Sequence, residues 1–120
     1  DALEKKALKL LHAKTGAAIA RHVYGVDDEV YQAILYHTTG RANMTLLEKI
    51  LYLADYIEPS REFANDPDVV RLRETVYEDL DRGLLLGLTM TVTEMEGMGN
   101  PVHHDTLDAR NDLIEKGVTL

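Results

Sequence analysis

Three polar side chains occupy helix positions where apolar residues would be expected, and their types suit metal or phosphate chemistry. His12 and His37 each lie on the apolar face of a predicted helix, and Asp55 lies on the corresponding face of a third. Burying an unpaired carboxylate costs several kcal/mol, so a core-facing Asp55 requires a metal or a basic partner. Imidazole is the commonest protein ligand for metals. The pattern predicts a shared cation site, or else two ordinary core histidines and a local ion pair.

A polar loop after the second helix is the next candidate. It reads His37-Thr38-Thr39-Gly40-Arg41. Hydroxyls, amides beside a glycine and a guanidinium are usual donors to phosphate oxygens. The alternative is an ordinary helix-terminating loop with threonine caps. Arg61 has the same two interpretations, a phosphate ligand or a solvated arginine.

A third candidate is the tract His103-His104-Asp105. Adjacent residues seldom chelate one ion, and we expect Asp105 to cap the helix that follows. A contact with substrate is therefore favoured over metal ligation. A surface tract without a site role is the alternative.

Helices must position all these residues, because the apolar spacing is helical along the whole chain. A Thr45/Glu48 capping box, an Asp27 cap and an Asp66-Pro67 start mark three helix beginnings. Five helices are predicted, over residues 2–23, 27–37, 45–59, 66–97 and 105–117. We find no convincing strand pair, repeat or linker, so the prediction is a single all-α domain over residues 1–120.

Composition limits the function classes. Thirteen Lys and Arg face 21 Asp and Glu, a net charge of −8, which argues against binding to DNA or RNA. No apolar run approaches the ~20 residues needed to cross a membrane, and no signal peptide is predicted. The chain has no cysteine. We therefore expect a cytoplasmic protein without a membrane partner.

Four stretches together resemble one family. They read LLHAKTGA from residue 10, AILYHTTGR from residue 33, LLEKILYLADYIEP from residue 46 and PVHHDTLDARN from residue 101. In this order they are similar to the YqeK-type HD-domain hydrolases, over nearly the whole chain. The resemblance implies an all-helical HD-domain-like bundle with the activity of a symmetrical bis(5′-nucleosyl)-tetraphosphatase. Such enzymes split diadenosine tetraphosphate into two ADP with iron, or another divalent metal, held by His and Asp.

The resemblance also implies a role for individual residues. Asp55 matches a metal ligand of the family, and His12 and His37 match catalytic positions facing the substrate phosphates or a second metal. The positions implied to contact the nucleotide are His12, His37, Thr38, Arg61, His103, His104, Asp105 and Thr106.

The chain departs from the family pattern at one place. An early His and a His-Asp pair are expected in the N-terminal half of an HD domain, and no such pair is found there. We therefore expect the C-terminal two-thirds of such an enzyme, without its N-terminal helices. Two alternatives stay open: an HD phosphohydrolase for another nucleotide, and a non-catalytic module that binds nucleotide or protein. Apolar faces left uncovered would favour a homodimer.

Overall fold

Helices are the only regular secondary structure in the described part of the chain. The computed structural model describes the backbone of residues 2–57 and 65–120 and the side chains of residues 13–57 and 65–120. Its helices are α1 (Ala2–Tyr24), α2 (Asp28–Leu35), α3 (Leu46–Ile57), α4 (Pro67–Glu78), α5 (Leu80–Gly97) and α6 (His104–Glu115). None of these helices is long and apolar enough to cross a membrane. The predicted all-α class is confirmed.

The predicted helix starts coincide with capped termini. The Asp27 carboxylate accepts the Val30 amide at 3.0 Å, and Asp66 caps α4 with proline in its first turn. At the start of α3 the Glu48 amide donates to the Thr45 hydroxyl, and the Thr45 amide donates to the Glu48 carboxylate, both at 3.2 Å. These reciprocal bonds satisfy two free amides of the helix end.

The prediction of one continuous fourth helix over residues 66–97 is wrong. This segment forms two helices, α4 and α5, which meet at a corner at Asp79. Asp79 is extended (φ −155°, ψ 111°), and its carboxylate caps α5 by accepting the Arg82 amide at 3.2 Å. A Cβ on Gly83 would lie 2.5 Å from Val76 Cγ2, so a glycine is needed where the helices approach each other. The described residues therefore contain one helix more than predicted.

Helix α5 is at the centre of the core and packs against α3, α4 and α6, whereas α1 packs against α2. Aliphatic side chains fill the core, among them Leu53, Leu72, Leu84, Leu88 and Leu113. Polar contacts also join α3 to α5, because the Tyr52 and Tyr56 hydroxyls both hydrogen-bond the Thr91 hydroxyl. Burial raises the pKa of Tyr52 well above its ordinary value. The core thus holds α3 in place while leaving its other face available for a site.

Candidate functional site

His37 and Asp55 face each other across the junction between α2 and α3. Helix α2 ends at Leu35, two residues before the predicted end, and His37 lies in the turn that follows. Its Nδ1 is 2.5 Å from the carbonyl oxygen of Ile34, and its Nε2 is 4.0 Å from Asp55 Oδ2. A carbonyl only accepts, so Nδ1 carries the proton and donates it to Ile34 in the neutral ring. The Nε2 lone pair is then directed to the side of Asp55.

Asp55 does not point into the core, and in this respect the prediction is wrong. Its side chain is 61% exposed, whereas Glu48, seven residues earlier on the same face of α3, is fully buried. Seven residues make two helical turns, so the sequence pattern gives both carboxylates the same orientation. This face of α3 is therefore covered at Glu48 and open at Asp55. A buried compensating cation is therefore not required by the position of Asp55.

Arg41 is committed to a structural contact. Its Nε donates to Glu48 Oε2 at 3.0 Å, its Nη2 donates to Oε1, and its guanidinium lies 4.9 Å from the ring centre of Tyr36. The hydrogen bond to Glu48 is the main reason that the Arg41 pKa is raised above its ordinary value. This bidentate contact holds the loop after α2 against the start of α3. The Arg41 guanidinium is therefore already engaged and is not free to donate hydrogen bonds to a phosphate.

The same loop is held to α6 by a buried hydrogen bond. The Thr106 hydroxyl donates to the Thr39 carbonyl at 2.8 Å, and Thr106 is 1% exposed. Thr39 is also buried and donates its hydroxyl to the Gly40 carbonyl at 3.0 Å. Thr38 is half-buried. Of these three threonines, Thr38 alone is not buried, and the Thr106 hydroxyl is used in the bond to the loop.

The tract at the start of α6 forms a compact cluster of metal-ligating atoms. One ligand atom each from His103, His104 and Asp105 lies within 4.8 Å of the others. His104 Nε2 is 3.1 Å from Asp105 Oδ1, and the two imidazole rings stack at 4.7 Å. His103 caps α6, since its Nδ1 accepts the Asp105 amide at 3.1 Å. The prediction that Asp105 is the cap is therefore wrong, and the imidazole takes that place.

Two predicted site residues lie outside the described side chains. The backbone of His12 is part of α1, but its side chain is not described, and Arg61 falls in the segment 58–64, which is not described. Their predicted roles stay predictions.

Comparison with known proteins decides the family. The HD-domain profile matches residues 1–60, half of the chain. The chain belongs to the HD-domain family. This confirms the resemblance predicted from the motifs around His37 and Asp55.

Several relatives of this HD-domain chain are named symmetrical bis(5′-nucleosyl)-tetraphosphatase. One from Halalkalibacterium halodurans is 46% identical over 107 residues, which are 88% of the chain and 56% of the relative. One from Bacillus subtilis is 42% identical over the same shares of the two chains. A crystal structure from Clostridium acetobutylicum, described as a predicted HD superfamily hydrolase involved in NAD metabolism, has a TM-score of 0.80 and 46% identity. It covers 88% of this chain and 55% of its own. The chain thus spans about half the length of the relatives it matches.

The donor set at His37 and Asp55 fits a metal ion, as expected for an HD domain. Divalent transition metals bind imidazole nitrogen and carboxylate oxygen at about 2.1 Å, which puts two ligands of a tetrahedral ion about 3.4 Å apart, so a small side-chain movement brings the pair from 4.0 Å to ligand distance. The Nδ1–H bond to Ile34 holds the imidazole with Nε2 available, an arrangement typical of metal-ligating histidines. The pair can therefore supply two ligands.

The contact between Arg41 and Glu48 was missed by sequence reasoning. The sequence places Glu48 in the capping box and Arg41 in a loop that is either a phosphate loop or an ordinary helix-terminating loop. The seven-residue spacing that separates Arg41 from Glu48 also separates Glu48 from Asp55. The sequence did contain a signal for this contact. Glu48 is a charged residue on a helix face predicted to be buried, and Arg41 precedes it by seven residues.

Proposed function

We propose that this protein is a metal-dependent phosphohydrolase that cleaves diadenosine tetraphosphate symmetrically into two molecules of ADP. The observation that carries the proposal is the geometry of His37, whose bonded Nδ1 leaves Nε2 facing Asp55 at 4.0 Å. The relatives at 38–46% identity supply the substrate class, since their name specifies a symmetrical tetraphosphatase.

Asp55 would hold the metal, with His37 beside it. When bound, iron or another divalent metal supplies a Lewis acid that polarises the phosphate and acidifies water. In its imidazolium form, which carries a proton on Nε2 as well, His37 would either stabilise negative charge that develops on the phosphate or donate that Nε2 proton to the leaving oxygen. His12 is proposed to share that catalytic role.

The remaining predicted residues would position the polyphosphate. Thr38 is half-buried on the loop that carries His37, and we assign to Thr38 and Arg61 the alignment of phosphate oxygens. His103, His104 and Asp105 form the cluster at the start of α6 and are proposed to contact the nucleotide. Thr106 supports that contact through its bond to the loop.

The context of the activity is also part of the proposal. Residues 1–120 are taken as one domain, the C-terminal portion of an HD-domain hydrolase that functions in the cytoplasm. A homodimer is proposed because large apolar side chains of α1, including Val23 and Tyr24, are exposed.

Product analysis tests the proposal. The protein is loaded with Fe²⁺, Mn²⁺ or Zn²⁺ in separate samples and incubated with diadenosine tetraphosphate, and the nucleotides are separated by chromatography. We expect ADP as the sole product. Formation of ATP and AMP would show asymmetric cleavage and contradict the proposal. Faster turnover of dGTP or guanosine tetraphosphate under the same conditions would indicate a different HD phosphohydrolase.

A further inference from the structure

Arg110 on α6 has a buried hydrogen-bond donor that no described residue accepts from. Its side chain is half-buried, and its Nε, shielded from solvent, has no hydrogen-bond partner among the described residues. Leaving a buried donor unpaired is costly, and such groups in native proteins call for a specific explanation. Since the Nε is closed to solvent, an anion would contact the accessible part of this half-buried residue, and the Nε would turn toward it on binding.

Four of the other basic side chains in the described region form ion pairs with carboxylates. These ion pairs are Arg21–Asp28, Arg41–Glu48, Lys49–Asp81 and Lys116–Asp112. Arg110 takes part in none of them. In a chain with a net charge of −8, its guanidinium therefore contributes a cation that is not neutralised by such a contact.

The position of Arg110 relates it to the candidate site. Residues 39–43 run alongside α6 in the same direction, as three contacts show. The Thr106 hydroxyl reaches the Thr39 carbonyl at 2.8 Å, a Cβ built on Gly40 would lie 3.4 Å from Ala109 Cβ, and the Asn43 amide reaches Asp112 Oδ2 at 3.0 Å. Residues 37–38 precede this run, so they are directed toward the N-terminal end of α6, next to His103.

Arg110 shares that side of α6. It follows His103 by seven residues and Thr106 by four, so the three lie on one helix face. Helical side chains lean toward the N-terminus of their helix, which brings the Arg110 side chain toward the turn of Thr106. The planar guanidinium fork is well suited to bind phosphate with two parallel hydrogen bonds.

We propose that Arg110 binds a phosphate group of the nucleotide, next to the site formed by the His37 loop and the start of α6. This inference rests on the proposed function, because it takes a phosphorylated nucleotide as the ligand of that site. It adds a specificity-determining residue whose target is the phosphate and not the nucleoside.

Calorimetric titration with ADP and with adenosine tests the inference. Arg110→Gln is expected to weaken ADP binding at least about 10-fold, because a charge-assisted hydrogen bond is lost. Adenosine binding should change less than about 2-fold, since adenosine carries no phosphate. The matched control Arg71→Gln removes the same charge from an exposed position on α4 and should leave both affinities unchanged.

A second variant keeps the test valid if Arg110→Gln does not fold. Arg110→Lys retains the charge without the planar fork, and ADP binding should weaken about 3- to 10-fold. The inference is overturned if ADP affinity is unchanged in the folded variants, if adenosine affinity falls equally, or if the wild-type protein binds no ADP. Failure of the proposed function is a separate result: the ADP effect persists, but diadenosine tetraphosphate is not cleaved.

Discussion

At the scale of single residues, the site depends on how one imidazole is oriented. The hydrogen bond from His37 Nδ1 to Ile34 fixes which nitrogen is available, and Asp55 stands opposite that nitrogen. An imidazole held in this way can serve as a metal ligand when neutral, or as a proton donor when protonated on Nε2, without rearranging the backbone. Asp55, being exposed, can be replaced without opening a cavity.

Replacing Asp55 separates its role in the site from any role in folding. For Asp55→Asn we expect metal content and turnover of diadenosine tetraphosphate to fall at least about 100-fold, because an amide is a poor metal ligand. The free energy of unfolding of the metal-free protein should change by less than about 0.5 kcal/mol, since the side chain is 61% exposed. Metal analysis, kinetics and urea denaturation measure the three quantities. Asp108→Asn, an exposed control on α6, should change none of them. Full metal content in Asp55→Asn would remove Asp55 from the ligand set.

Glu48 is expected to contribute stability and not chemistry, in contrast to Asp55. Glu48→Gln removes the fully buried carboxylate that pairs with the partly exposed Arg41, so the free energy of unfolding should fall by about 1–3 kcal/mol. Urea denaturation measures the change against Glu74→Gln, an exposed glutamate of α4. Equal stability of the two variants would show that the contact with Arg41 contributes little.

At the scale of helices, the corner between α4 and α5 gives a sharp prediction. Gly83→Ala places a methyl group 2.5 Å from Val76 Cγ2 and 2.8 Å from Val76 Cα, a clash that a side-chain rotation alone does not relieve. We expect a loss of about 1–3 kcal/mol in the free energy of unfolding. Gly97→Ala, at the other end of α5, meets no atom within 4 Å and should be neutral or slightly stabilising. Thermal and urea denaturation compare the two, and a stable Gly83→Ala protein would mean that the corner opens easily.

Helix starts could be predicted from sequence because their signals are local. Free amides of the first turn are satisfied within that turn in three helices: by Asp27 in α2, by Thr45 together with Glu48 in α3, and by Asp66 in α4. The corner at Asp79 could not be predicted from spacing, since Val76, Leu80 and Leu84 remain four residues apart across it. The apolar pattern continues although the helix axis changes.

The site itself could be predicted only in part, for a different physical reason. Periodicity gives the face on which a residue lies but not what covers that face. Glu48 and Asp55 share a face of α3, yet one is fully buried and the other is 61% exposed. Likewise, motif resemblance included Thr106 among the nucleotide contacts, whereas its hydroxyl is bonded to a carbonyl 67 residues away in sequence.

At the scale of the whole molecule, the loop after α2 is fastened to α6 by contacts distant in sequence. Asn43 adopts a left-handed conformation (φ 57°), which Asn tolerates better than most residues. Its backbone amide donates to Asp112 Oδ2 at 3.0 Å, and its side-chain oxygen accepts from Lys116 Nζ at 2.8 Å. Lys116 also pairs with Asp112 at 2.9 Å. This cluster fixes the far end of the segment that carries the site.

The contact between the loop after α2 and α6 is expected to be sensitive to acid, because it depends on the Asp112 carboxylate. Partial burial raises the Asp112 pKa, but the Asn43 amide and the Lys116 ammonium outweigh burial and hold it below its ordinary value of 3.8. A carboxyl group whose pKa is lower in the folded protein binds fewer protons there than in the unfolded chain. Its contribution to stability is therefore complete above pH 3.8 and is lost as the pH falls through the folded-state pKa.

Asp112→Asn should reveal this contribution through its pH dependence. At pH 7 we expect the variant to be less stable than wild type by about 1 kcal/mol, a modest value because Lys116 is half-exposed and screened by solvent. The two proteins differ only at residue 112, so the difference between their urea unfolding free energies isolates Asp112. That difference should shrink toward zero below pH 3.8. For the control Asp108→Asn, the stability difference from wild type should stay within about 0.5 kcal/mol at pH 7. An Asp112→Asn difference that persists unchanged in acid would mean that the contact is held by shape and not by charge, and that acid does not loosen the loop from α6.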